Sequence, residues 1–206
     1  MKRITFALIA FLLASVASAA PVNMIGDWTQ GFSTDYATGN LLDPGIYAWS
    51  NMHPLWQDAV GAGGGPILYV NGRDDRPSTV WSKTFDAPSD TTLLFSSWFG
   101  SVCCTLASGL NYPGPVLSVW LNSNPFLLVS TDGPGVMQMF SGDFWTGAGG
   151  PFTLSVRNNS TVYDGNDFAM QDAAVSAVPT PEPTTLLMLS AGLFVLRRRL
   201  KAGWIR

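Results

Sequence analysis

The fold is decided by a short stretch in which apolar and polar side chains strictly alternate: Phe152-Thr153-Leu154-Ser155-Val156-Arg157. Alternation with a period of two puts one set of side chains on each face of a β-strand, so the stretch predicts a strand with one buried face. A second alternation, at 116–121, sets Leu117, Val119 and Leu121 against Trp120.

Similar short runs recur along the middle of the chain, at 67–70, 80–85, 92–99, 126–129, 136–140 and 167–175. Turn-forming pairs stand between them: Asn71-Gly72, Asp132-Gly133 and Asp164-Gly165. The 21 glycines and 14 prolines argue against a helical bundle, since both interrupt helices. We therefore predict an all-β fold, a jelly-roll β-sandwich of about eight or nine strands over residues 20–178.

Charge is distributed unevenly along the 206 residues, whose formal net charge is −3. Seven of the 11 basic residues lie at the two ends, which leaves four in the middle against 13 aspartates, a charge near −9. A body without a basic stripe cannot neutralise phosphates, so nucleic acid is excluded as a partner.

The N-terminus has the three parts of a secretory signal peptide. Lys2-Arg3 is basic, residues 4–13 are apolar, and Ala17-Ser18-Ala19 is a small-residue cleavage site. We expect signal peptidase to remove residues 1–19 as the chain is exported through the inner membrane. The alternative is an uncleaved anchor helix, for which the apolar run is short.

The C-terminal residues 179–206 combine a rigid motif, an apolar segment and a basic cluster. Pro181-Glu182-Pro183 excludes helix, residues 184–196 carry no charge, and Arg197-Arg198-Arg199 follows. We expect a single apolar helix that lies in the membrane through 184–196, with the arginines on the cytoplasmic side. An ordinary tail anchor has the same general design.

This order of elements resembles the PEP-CTERM sorting signal of Gram-negative bacteria, which accompanies an N-terminal signal peptide. The resemblance implies recognition by an exosortase, a membrane transpeptidase that cuts near the Pro-Glu-Pro motif. It further implies that the helix anchors the protein only transiently, before delivery to the cell surface or extracellular matrix.

A second resemblance covers most of the body. The chain is similar to exported proteins with a galactose-binding-like jelly roll in the runs Gly31–Tyr36, Leu42–Tyr47, Asn51–Trp56, Tyr69–Gly72, Val80–Lys83, Thr92–Phe95 and Gly165–Asp172. The last of these resembles the closing run of PEP-CTERM proteins with that fold. The resemblance implies a β-sandwich and leaves the ligand open.

Seven tryptophans lie in the body, and one stands out as a sugar platform. Trp120 shares a strand face with Ser118, opposite the leucine-rich face, and Asn122 and Asn124 follow it. Sugar C–H groups stack on aromatic rings while their hydroxyls bond to amides, so these three residues are the candidate glycan site. We expect most other tryptophans to be buried.

Two further groups of residues leave alternatives open. Asp164, Asp167 and Asp172 supply oxygen ligands of the kind that calcium takes, but they also suit solvated turns. Cys103 and Cys104 are either a strained adjacent-residue disulfide or two thiols.

The sequence shows no signature of a catalytic site. His53 is the only histidine, and no Gly-x-Ser-x-Gly elbow is present. We therefore predict a non-catalytic surface or matrix protein that binds extracellular polysaccharide. The alternatives are a structural matrix protein without a ligand and a secreted hydrolase.

Overall fold

The computed structural model describes residues 22–50, 65–102, 114–131, 134–162 and 165–178. This part of the chain contains strands and no helix, and so no helix that is long and apolar enough to cross a membrane. The strands are β1 Ala37–Thr38, β2 Ile46–Ser50, β3 Ile67–Asn71, β4 Ser78–Ala87, β5 Thr92–Ser101, β6 Val116–Leu121, β7 Asn124–Ser130, β8 Gln138–Trp145, β9 Gly150–Asn158 and β10 Phe168–Ala177.

The strands form two sheets. One has six strands in the order β1-β2-β3-β10-β5-β8, and the other has four in the order β4-β9-β6-β7. From β3 to β10 the chain passes repeatedly between the two sheets, so strands that are neighbours in a sheet are mostly distant in sequence. All pairs are antiparallel except β1 with β2.

The inner faces of the two sheets enclose the main core. Its largest fully buried side chains include Trp81 from β4, Phe95 and Phe99 from β5, and Phe168 from β10. The indole Nε1 of Trp81 donates to the Trp28 carbonyl at 2.9 Å, which satisfies the one polar atom of that side chain. Burial of these rings contributes to the driving force for closing the sandwich.

A second, smaller apolar cluster lies on the outer side of the six-stranded sheet. Ile67, Tyr69 and Ala169 from β3 and β10 are buried there against Leu41 and Met137. Both faces of β3 are therefore covered, which explains why residues 67–70 are continuously apolar instead of alternating.

The predicted all-β sandwich is confirmed, with ten strands in the described part against the eight or nine expected. Side-chain direction in β9 follows the predicted alternation, since Leu154 and Val156 lie in the core and Arg157 lies half-buried on the other face, where Ser155 is also buried. The sequence pattern predicted neither β1 nor β2, and it predicted the end of β8 at Phe140, five residues early.

Several predicted features fall outside the described residues. They are the signal peptide 1–19, His53, Cys103 and Cys104, Asp164, and the segment 179–206 with Pro181, Glu182, Pro183 and the arginines 197–199. Residues 22–177 form one unit, to which all the strands belong.

Candidate functional site

Trp120 lies where the sequence places it, on the outer face of the four-stranded sheet beside Ser118. It is half-buried, and its indole Nε1 donates to the Ser118 Oγ at 2.7 Å. The guanidinium carbon of Arg157 sits 4.2 Å from the centre of the ring. A cation at that distance is attracted by the negative face of the indole, so one stacking face of Trp120 already has an occupant.

Asn122 and Asn124 flank the tight turn that joins β6 to β7. Asn122 has a φ of 55°, a left-handed conformation that asparagine tolerates better than most residues. Its side-chain Oδ1 accepts the Thr153 N–H at 2.9 Å, and its own N–H donates to the Thr153 carbonyl. Asn124 is exposed at the first position of β7. Asn122 thus pins the turn to β9, and a glycan contact for either asparagine stays a prediction.

The outer face of the six-stranded sheet presents a different set of side chains, which we call the Trp145 face. It consists of the outward residues of β5 and β8: Thr92, Leu94, Ser96 and Trp98, with Met139, Ser141, Asp143 and Trp145. Trp145 is 59% exposed and is the most exposed tryptophan among the described residues, whereas Trp98 is half-buried.

The two tryptophans stand at opposite ends of this face. Trp145 pairs with Thr92, and Trp98 lies six residues further along β5, which corresponds to about 20 Å at the rise of an antiparallel strand. Ser96 opposite Ser141, and Leu94 opposite Asp143, fill the interval. The face therefore has a tryptophan at each end, with hydroxyl and carboxylate groups between them, and Trp98 packs against the second apolar cluster.

Sequence analysis missed Trp145 as a candidate because it ended β8 at Phe140. The signal was present in the sequence, since the alternation continues beyond that residue. Phe140 and Phe144 point into the core, whereas Ser141, Asp143 and Trp145 point outward. Gly142 stands where the alternation calls for an apolar side chain, so it interrupted the pattern. The position is tightly packed, since an added Cβ there would lie 2.8 Å from the Phe126 ring.

The structure does not bring together the two described aspartates of the calcium hypothesis. Asp167 is 6% exposed and accepts the Gly72 N–H at 2.9 Å, just before β10. Asp172 sits in a bulge of β10 with a φ of 54° and lies beside Gly65. The two aspartates flank opposite ends of the β3–β10 pairing. Among the described residues, no group of three or more His, Cys, Asp or Glu could hold a metal ion.

Comparisons with known proteins find only distant structural likenesses. No family model and no curated protein matches the chain. The xylan-binding CBM22-1 domain of Paenibacillus barcinonensis Xyn10C aligns with a TM-score of 0.45 at 11% identity, over 79% of this chain and 95% of that one. The CBM51 of Clostridium perfringens GH95, solved in complex with methyl-galactose, aligns with a TM-score of 0.40 at 10% identity, over 76% and 99%. A ligand does not follow from likeness at this level and has to be inferred from the surface itself.

Proposed function

We propose that this protein is an exported, non-catalytic surface or matrix protein whose β-sandwich binds polysaccharide on the Trp145 face. The observation that carries the proposal is the exposure of Trp145 beside hydroxyl and carboxylate side chains on the outer face of the sheet. A large aromatic ring left 59% exposed forgoes the free energy that its burial would contribute.

The chemistry of this face suits sugars. The C–H groups of a pyranose carry slight positive charge and stack on the negative face of an indole ring. Ser96 and Ser141 can donate or accept hydrogen bonds, and the carboxyl oxygens of Asp143 can accept them from sugar hydroxyls. The 20 Å interval is long for one sugar ring and suits a chain of several.

The charge of the face selects among polysaccharides. None of the six strands of this sheet contains Lys, Arg or His, and Asp143 places an acidic side chain on the face. An acidic polymer would meet repulsion without a compensating cation. The proposed ligand is therefore a neutral polysaccharide.

Affinity electrophoresis of the purified protein in gels containing neutral polysaccharides tests the proposal. We expect retardation by at least one neutral polymer, and Trp145→Ala should weaken the affinity about tenfold, or ~1.4 kcal/mol, because the stacking surface is removed. Leu128→Ala is the matched control, since Leu128 is 77% exposed on the outer face of the other sheet.

Two results would count against the proposal. Equal retardation of the Trp145 and Leu128 variants would show that the Trp145 face is not the site. No retardation of the unmodified protein by any glycan would favour a structural matrix protein without a ligand.

The proposed location depends on the two ends of the chain. The basic, apolar and small-residue order of 1–19 supports export, and Pro181-Glu182-Pro183 with the apolar segment and arginines supports sorting by an exosortase. Transient anchoring through 184–196 would precede release to the cell surface or matrix.

A further inference from the structure

We infer that the outer face of the four-stranded sheet is a second binding site, which takes the carboxylate groups of an acidic, uronate-containing polysaccharide through Arg157. We call it the Arg157 face and define it by the outward residues of three strands: Ser82 and Thr84, Thr153, Ser155 and Arg157, and Ser118 and Trp120. It lies on the other sheet from the Trp145 face and does not depend on it.

Arg157 is held in place before any ligand arrives. Its guanidinium lies over the Trp120 ring at 4.2 Å, and Trp120 is itself fixed by its hydrogen bond to Ser118. Asn159 Nδ2 donates to the same Ser118 Oγ at 2.8 Å, so the hydroxyl is held from two sides. The entropy cost of ordering a long arginine side chain is thereby met in the folded protein, which favours binding.

The positive charge of Arg157 has no anionic partner in the described part of the chain. The one ion pair there joins Arg73 to Asp75 at 2.8 Å. The Arg157 Nε is shielded from solvent and makes no hydrogen bond. A guanidinium offers five N–H donors in a planar fork that matches the two oxygens of a carboxylate.

Acidic residues are sparse on this face, although the body as a whole is acidic. The four strands contain one carboxylate, Asp86, which pairs with Pro151 six residues along β9 from Arg157, about 20 Å away. Asp35, in the loop before β1, accepts the Thr79 N–H at 2.7 Å, and Thr79 is the partner of Arg157 in the β4–β9 register. No ion pair joins Asp35 to Arg157 in the described part of the chain. The other cation of the sheet, Lys83, is bound to the Asp27 and Gln30 carbonyls.

Hydroxyl side chains extend from the cation along the face. Thr153 on β9 lies opposite Thr84 on β4, and their hydroxyls meet at 2.9 Å. Ser155, between Thr153 and Arg157, is buried, so the accessible hydroxyls of the row are those of Thr153, Thr84 and Ser82. A carboxylated sugar polymer offers both an anion for the guanidinium and hydroxyls for this row. An acidic peptide would offer the anion alone. Arg157 is the binding residue, and Trp120 is a positioning residue that acts through it.

Microscale thermophoresis with polygalacturonate tests the inference, with methyl-esterified polygalacturonate and poly-aspartate as comparison polymers. We expect the purified protein to bind the free-acid polymer and lose affinity as NaCl rises, and to bind the esterified form and poly-aspartate at least about tenfold more weakly. Arg157→Gln should weaken uronate binding about tenfold or more. Arg76→Gln, at an exposed arginine before β4, should leave it unchanged.

Two further variants separate positioning from folding. Arg157→Lys should not restore the affinity, because an ammonium lacks the planar fork. Trp120→Leu should weaken uronate binding while the affinity of the Trp145 face for neutral polymer stays unchanged, which shows that the variant is folded.

The results that would overturn the inference are specific. Equal binding of free-acid and esterified polymer, or full affinity in Arg157→Gln, would remove the anion site. Equal binding of poly-aspartate would point to an acidic protein as the partner instead. Loss of neutral-polymer binding alone would count against the Trp145 face and leave this inference standing.

Discussion

Tyr36 shows at the scale of one residue how burial creates a pH dependence. Burial raises the pKa of Tyr36 to about 12, because the phenolate would lie out of water. The Arg73 backbone and the Asn158 side chain oppose this shift, but neither reaches hydrogen-bonding geometry with the hydroxyl. The burial of the ring therefore decides the direction.

The consequence is a loss of stability in alkali. The unfolded chain releases the Tyr36 proton near the ordinary pKa of 10.0 and the folded chain near 12, so stability falls as the pH rises between these values. Tyr36→Phe should remove about 1 kcal/mol of this loss at pH 11. Urea unfolding at pH 7 and pH 11 measures it, and an equal fall in both proteins would contradict the assignment.

At the scale of an element, the β6–β7 turn depends on Asn122. Asn122→Ala should lower the free energy of unfolding by about 1–2 kcal/mol, since alanine disfavours positive φ and cannot accept from Thr153. Asn122→Gly should lose less, because glycine keeps the backbone conformation. Ser123→Ala, in the same turn, is the control, and urea unfolding measures all three.

The same variants also test whether Asn122 contacts a glycan. A turn residue lowers stability when it is changed and leaves the affinity of the folded protein intact. Reduced affinity with full stability in Asn122→Ala would show instead that Asn122 contacts a sugar, as the sequence pattern suggested.

The strands that the sequence pattern could predict are those with one face toward the core and the other on the outside of the sheet. β9 and β6 alternate in sequence, and their leucines and valines point into the core as the pattern predicts, although Ser155 and Ser118 on the other face are also buried. β2 could not be found in this way because Tyr47 and Trp49 enter the main core while Ile46 and Ala48 pack against the second cluster. Covered on both sides, β2 has no polar phase, and β1 is only two residues long.

The candidate site was predicted in part for a related reason. Alternation correctly placed Trp120 on the outer face of its sheet. It could not show that Arg157 covers the ring, because that contact joins neighbouring strands 37 positions apart in sequence. Cross-strand register is a property of the whole sheet, and no local pattern specifies it.

At the scale of the whole molecule, the sequences of the two ends predict how the chain is processed. The mature protein should lack residues 1–19 and should end near Pro181-Glu182-Pro183, because both ends match processing signals. Intact mass spectrometry of protein recovered from the cell surface measures both ends. Retention of residues 184–206 would contradict exosortase processing and leave an ordinary membrane anchor.

The packing of the two sheets against each other through their inner faces has a mechanical consequence. Packed sheets lie about 10 Å apart, so the two outer faces of the sandwich look in opposite directions. A single copy that holds a neutral strand on one side and an acidic strand on the other is a cross-link of fixed length. Tying two polymer networks together in this way requires no dimer and no flexible tether, and the stiffness of the resulting gel would depend on the number of copies secreted.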